Sequence, residues 1–205
     1  IFAAHDEFTG GADFFGYQVP IEIADSTAAD VWDGHPTAVA SIVIAKGVLD
    51  NEIFDIAGIA PQLAKVYSYD WESDVNEIIE QLQTNSNTDF ILSNHSYGIP
   101  LLDDENELIL EIEEIGGYIE WSSIIDQITY VYPNYLHVVA GGNDGYESYP
   151  NQSVNRLDQL TGSTTAKNAL TVGSFSMDDN NENITATEFS SAGPTNDFRI
   201  KPEIC

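Results

Sequence analysis

An α/β fold, a three-layer parallel β-sheet with helices on both faces, is predicted for this chain from three observations. Short apolar runs bounded by turn residues alternate with amphipathic helical patterns, the sequence mark of parallel strands joined by crossover helices. The 205 residues suffice for one domain with a two-sided core, and 42% of them are hydrophobic. No internal repeat and no Pro/Ser-rich linker divides them.

The elements follow in order. Residues 35–48 (HPTAVASIVIAKGV) read as a buried helix, with Pro36 in the first turn and Gly47 at the C-terminal cap. Residues 65–69 (KVYSY) alternate like a strand. Ser73 is placed to cap a helix that carries Val75, Ile78, Ile79 and Leu82 on one face. FILS (90–93) reads as a buried strand, followed by an acidic stretch, DDENELILEIEE (103–114). Trp121, Ile124, Ile125, Ile128 and Tyr132 mark another amphipathic helix that ends near Pro133. LHVVAGG (136–142) is a buried strand entering glycines, and ALTVGSFS (169–176) a further strand.

Charge excludes several functions. Against 34 acidic residues stand 6 basic ones, a formal net charge of −28, which repels nucleic acid and anionic membranes. No apolar run is long enough to span a membrane. The single cysteine, Cys205, excludes a disulfide within the chain. The sequence opens at Ile1 without an initiator methionine and stops after IKPEIC, so a longer parent protein is expected.

The predicted fold locates function. In open parallel sheets, ligands bind beyond the carboxyl ends of the strands. Two such ends carry distinctive residues, NHSYG (94–98) and GGNDG (141–145). Both are expected on one crest, where small residues admit a ligand backbone and Asn143 offers an amide donor.

Four ordered segments resemble the subtilase family of serine peptidases. DGHPTAVAS (33–41) resembles the family's D-G-H-G-T-H-V-A-G, SNHSYG (93–98) its cleft strand and S-x-G segment, VVAGGNDG (138–145) its V-V-A-A-A-G-N-[ED]-G, and FSSAGPT…RIKPEI (189–204) its F-S-S-x-G-P-T…R-I-K-P-[DE]-I. GIAPQLAKVYSYDW (58–71) and TGSTTAKNALTVGS (161–174) also match, so the resemblance covers nearly the whole chain.

The resemblance implies a serine endopeptidase working through an Asp-His-Ser triad and an acyl-enzyme. It makes His35 the catalytic base, which takes the proton of a serine hydroxyl and returns it to the leaving amine. Asn143 becomes the side-chain donor of the oxyanion hole. Ser96, Tyr97 and Gly98 become one wall of the substrate cleft. Ala140, Gly141 and Gly142 become the floor or opposite side of the specificity pocket, binding an extended peptide as an added strand. Pro36, Ala38 and Ser41 depart from the family pattern around the histidine.

His5, in HDEF, resembles a marker segment that follows the catalytic aspartate, which places that aspartate before Ile1. None of Asp6, Asp13, Asp25, Asp30 and Asp33 follows a buried strand. The nucleophilic serine is expected beyond Cys205. Gly162-Ser163-Thr164 precedes a strand, and the family has a similar non-catalytic stretch there. His95 and His137 read as structural.

No cofactor is required for this chemistry. The stretches 103–114 and 177–183 (MDDNNEN) are candidates for structural calcium, with a solvated acidic face as the other reading. Polypeptides are the expected partners, neither nucleic acid nor membrane is expected, and a monomer that is secreted or displayed at the cell surface is implied. The alternative function is a catalytically dead relative that binds peptides in the same cleft.

Overall fold

The computed structural model describes residues 21–24, 34–47, 57–63, 65–70, 72–84, 91–150, 152, 157–178, 180 and 183–205. His5, Asp6, Asp13, Asp25, Asp30, Asp33 and Phe90 lie outside the described residues. The chain divides into two compact units, Ile1–Glu77 and Ile78–Cys205.

In the first unit, strand β1 (Ile21–Ile23) pairs in parallel with β2 (Val66–Ser68), Ile21 opposite Val66, and helix α1 (Gly34–Ile44) lies between them in sequence. Ala40 and Ile44 of α1 are buried against Ile21, Val43 and Val66. The helix stops at Ile44 because a second segment takes over its last carbonyls. The amides of Gly58, Ile59 and Ala60 donate to the carbonyls of Ala45, Ile42 and Val43 at 2.7, 3.0 and 2.7 Å. Only a glycine fits this approach, since a Cβ at Gly58 would stand 2.7 Å from the backbone of Ile44 and Ala45. Gly47 does adopt φ +72°. It lies three residues past the helix end, however, and not at the cap position that the sequence suggests, because the 58–60 segment supplies the cap.

Helix α2 (Asp74–Thr84) begins directly after Ser73, whose carbonyl accepts from the amides of Asn76 and Glu77. Asp74 and Glu77 complement the positive end of the helix dipole, and Ile78 and Leu82 form its buried stripe.

The second unit holds a parallel sheet of β3 (Ile91–His95), β4 (Tyr135–Ala140) and β5 (Leu170–Val172), in that spatial order. Helix α3 (Glu120–Val131) makes the crossover from β3 to β4 and packs on β4 with Ile125 and Ile128 buried. The α/β class with parallel strands is therefore as predicted.

Two strand expectations need correction. The run around Ile91 is not buried throughout: Leu92 and Asn94 are exposed, and only His95 is fully covered. The stretch 169–176 is not one strand but two. It breaks at Gly173, where a Cβ would meet Pro202 Cγ at 2.8 Å, and Phe175–Met177 (β6) turns away to pair antiparallel with Ile184–Ala186 (β7). The C-terminal segment takes the vacated place, with Ile204 bridging in parallel to Val172.

The acidic stretch 103–114 closes back on itself. Asp103 Oδ1 accepts the amides of Glu105 and Glu107, both at 2.9 Å, and Asn106 turns the chain at φ 62°. Leu102 and Leu108 bridge across this turn and pack on Leu101, Ile115 and Tyr149. The carboxylates point outward while the leucines between them build core. No described helix is long and apolar enough to cross a membrane.

Candidate active site

His35 occupies the first turn of α1 and is exposed. Pro36 beside it loses no hydrogen bond there, because the first helical amides have no intrahelical partner. The residues that depart from the family pattern are accommodated locally. Ala38 is exposed, and the Ser41 hydroxyl donates to the Thr37 carbonyl one turn back at 2.8 Å. His35 belongs to the first unit; the other predicted site residues belong to the second.

There the register places both predicted strand ends on one crest. His95 stands opposite Val139 in the β3–β4 pair, and Ala140 opposite Val172 in the β4–β5 pair. Ser96, Tyr97 and Gly98 thus leave the sheet beside Ala140, Gly141 and Gly142. The exit from β3 is pinned further on, where the Thr161 hydroxyl donates to the Ile99 carbonyl (2.6 Å) and the Leu101 amide to Asp144 Oδ1 (3.0 Å). Gly98 itself is exposed, no atom lies within 4 Å of where its Cβ would stand, and its backbone forms no hydrogen bond among the described residues. Nothing among the described residues demands a glycine at that position.

Gly141 and Gly142 stand in closer surroundings, with Val172 O 3.3 Å from where a Cβ on Gly141 would lie. Gly142 has φ +113°, and a Cβ on it would fall 2.6 Å from Ser191 Oγ. Asn143 follows, with an exposed side chain that forms no hydrogen bond among the described residues. Its neighbours are fixed on both sides. The Asp144 amide donates to the buried Ser191 hydroxyl at 2.9 Å, which donates back to Asp144 Oδ2 at 3.2 Å. The Ser191 amide donates to the Gly142 carbonyl at 3.0 Å, and the buried Gln159 side chain donates to the carbonyls of Asp144 and Glu147 at 2.7 and 2.8 Å. The loop is therefore braced next to Asn143, whose side-chain amide has no hydrogen-bond partner among the described residues.

Beneath the crest runs a largely buried polar chain. His95 and His137 stack with ring centroids 4.1 Å apart and planes inclined by 27°. His95 Nδ1 meets the Tyr97 hydroxyl at 2.7 Å and its Nε2 meets Ser93 Oγ at 2.7 Å. Ser93 Oγ meets the Tyr135 hydroxyl at 2.7 Å, which meets His137 Nδ1 at 3.1 Å. His137 Nε2 lies 3.4 Å from Ser163 Oγ. Burial lowers the His95 pKa to about 4. His137 is lowered to about 3 by burial first, and then by repulsion from His95 and the Lys201 ammonium.

Ser163 and His137 form a serine–histidine pair but not a nucleophile and base. Ser163 is 4% and His137 1% exposed, so no peptide reaches them. Ser163 also lies in a short 3₁₀ turn, Gly162–Thr165, packed against α3 and β5. The Thr164 and Thr165 hydroxyls donate to Thr161 O and Gly117 O, and the Thr171 hydroxyl to Thr164 O. This stretch is structural, as its place before β5 suggests.

A separate hollow lined by Tyr118, Ser123, Asp126, Gln127, Tyr130 and Val131 contains none of the predicted site residues. Among the described residues, no group of three His, Cys, Asp or Glu side chains is placed to hold a metal ion.

Sequence reasoning missed the braces, Asp144, Ser191 and Gln159, and the joining of His95 to His137. A Gly-Gly-Asn-Asp-Gly loop advertises a turn, but its partners lie up to 47 residues away and carry no local signature. The strand periodicity held a partial signal for the histidines. Ser93 and His95 share one face of β3, and Tyr135 and His137 share one face of β4.

The sequence model described as the Subtilase family matches residues 15–205. No match is found among curated proteins.

Proposed function

The chain belongs to the subtilase family of serine peptidases, and from that premise we propose that the full-length protein is an endopeptidase acting through an acyl-enzyme. One observation above all supports this reading. Among the described residues, a braced loop holds an unpartnered side-chain amide, Asn143, beside a strand exit where Gly98 leaves both space and unpaired backbone for a peptide. An extended substrate pairs with such an exit as an added strand, and its scissile carbonyl then lies near the crest.

In the proposed reaction, His35 accepts the hydroxyl proton of a serine as the serine oxygen bonds to the carbonyl carbon. The carbonyl electrons move onto oxygen, where the Asn143 amide stabilises them. The C–N bond then breaks and His35 passes its proton to the leaving amine. Water repeats these steps to release the acid and the serine. The serine is assigned to the segment that follows residues 189–204 in the family order, and the aspartate orienting His35 to the segment that precedes HDEF.

A fluorophosphonate probe applied to the full-length protein tests this assignment. The protein should be labelled at one serine, and His35→Ala should abolish both labelling and peptide hydrolysis. Removing one triad member in subtilisin, a member of this family, leaves only ~10³–10⁴-fold acceleration over water. Labelling that persists at the wild-type rate in His35→Ala overturns the base role. A folded protein that is never labelled, yet binds peptides, is the non-catalytic alternative.

A further inference from the structure

The buried chain beneath the crest has a property that its separate contacts do not. Its members run Tyr97, His95, Ser93, Tyr135, His137, Ser163, and the five links span 2.7 to 3.4 Å. Each hydroxyl has one proton, and each neutral imidazole has one donor nitrogen and one acceptor nitrogen. Both histidines enter the chain through Nδ1 on the side nearer Tyr97 and leave it through Nε2. In one aligned arrangement Tyr97 donates to His95 Nδ1, His95 Nε2–H to Ser93, Ser93 to Tyr135, Tyr135 to His137 Nδ1, and His137 Nε2–H to Ser163; in the other every link reverses. A hydroxyl accepts twice but donates only once, so Ser93 or Tyr135 can also accept from both sides, with His95 as the Nε2–H and His137 as the Nδ1–H tautomer. The converse pair, His95 Nδ1–H with His137 Nε2–H, leaves two acceptors facing each other in the interior, which is costly. The two tautomers are therefore coupled through the hydroxyls between them, and aligned chains strengthen their own links.

The Tyr97 end is the most exposed part of this chain, and it lies in the predicted cleft wall: Tyr97 is 38% exposed while His95 is 7% exposed. The inward bond holds the phenol oxygen against His95. What faces a bound peptide is then the ring itself, an apolar surface with no free charge.

We propose that His95 is a positioning residue that locks Tyr97, through this coupled chain, as the specificity-determining wall of the cleft, favouring peptides with apolar side chains there. The proposal deepens the peptidase reading and rests on it for the identity of the ligand. The chain itself does not depend on catalysis.

Two measurements on the full-length protein test it. Long-range ¹H–¹⁵N correlation spectra at neutral pH should show any tautomer pair except His95 Nδ1–H together with His137 Nε2–H. That combination overturns the proposal whatever the activity. Kinetics on tetrapeptide anilides, and binding of the matching peptide amides, supply the second readout. Tyr97→Phe and His95→Gln should each raise KM or Kd for apolar peptides about 3- to 10-fold, the loss of roughly one hydrogen bond, with kcat changed less than twofold. His95→Asn keeps a polar group where Nδ1 stands and should restore most of the affinity. The double variant Tyr97→Phe/His95→Gln should be no weaker than either single one. Equal KM across all variants, or a loss confined to kcat and thermal stability, overturns the positioning role. If fluorophosphonate fails to label the protein while peptide-amide affinity still follows this pattern, the peptidase reading falls and the wall stands.

Discussion

At the scale of single residues, the candidate site depends on how firmly one exposed side chain is aimed. Among the described residues, the Asn143 side-chain amide has no hydrogen-bond partner. Its position is set by Gly142 at φ +113° and by Asp144 stapled to Ser191. That arrangement is what electrostatic catalysis requires, a donor fixed before charge develops so that no reorganisation accompanies the reaction. Asn143→Ala should therefore lower kcat by about 10²–10³, roughly 2.7–4 kcal/mol, and leave KM nearly unchanged; the size is that of the equivalent deletion in subtilisin, from the same family. Steady-state kinetics on a peptide anilide decide the matter. A change confined to KM makes Asn143 a residue that binds substrate and transition state alike.

At the scale of elements, β3 and β4 carry a cost that depends on pH. His95 and His137 are held neutral, with pKa values lowered to about 4 and about 3 against an ordinary 6.5. In the unfolded chain both bind protons near pH 6.5, whereas in the folded sheet they do so only far lower. Stability contributed by the pair is thus complete above about pH 6.5. It is lost as pH falls toward 4 and then 3, because protons bind preferentially to the unfolded state. Between pH 7 and pH 5 each histidine should cost on the order of 1–2 kcal/mol. Urea unfolding at the two pH values should show this drop, with a smaller drop in His137→Gln. A pH-independent urea midpoint would mean that the rings are charged or hydrated in the native sheet.

At the scale of the whole molecule, the net charge of −28 dominates. Repulsion among 34 carboxylates works against the compact state. The described ion pairs that answer it are few, such as Lys65 with Glu22 and the buried Lys201 ammonium with Glu203 at 2.6 Å. Salt shortens the range of that repulsion from about 10 Å at 0.1 M to about 3 Å at 1 M. Raising KCl from 0.05 to 1 M should therefore raise the melting temperature. A gain of about 2 kcal/mol corresponds to roughly 4–8 °C for a chain of this size. A melting temperature that stays constant or falls over that range would show that the carboxylates are already neutralised by other means.

The sequence by itself determined whatever is written in local period and local chemistry. The stripe of Ile78 and Leu82 in α2, the helix around Ile125 and Ile128, the Pro36 start of α1 and the four ordered motifs are all contained in short windows. A helix declares itself within a few turns because residues three and four apart share a face. The crest was legible for the same reason, since each strand end lies inside its own motif. Tertiary structure alone decided the rest. It broke residues 169–176 at Gly173, moved the cap of α1 from Gly47 to the 58–60 segment, covered only one face of β3, and tied Asp144 to Ser191 and His95 to His137. Each of these outcomes depends on a partner about ten or more residues away, most of them forty or more. The hydrogen bond or ring contact then forms only after the sheet has brought the two together, so neither sequence window carries the information alone.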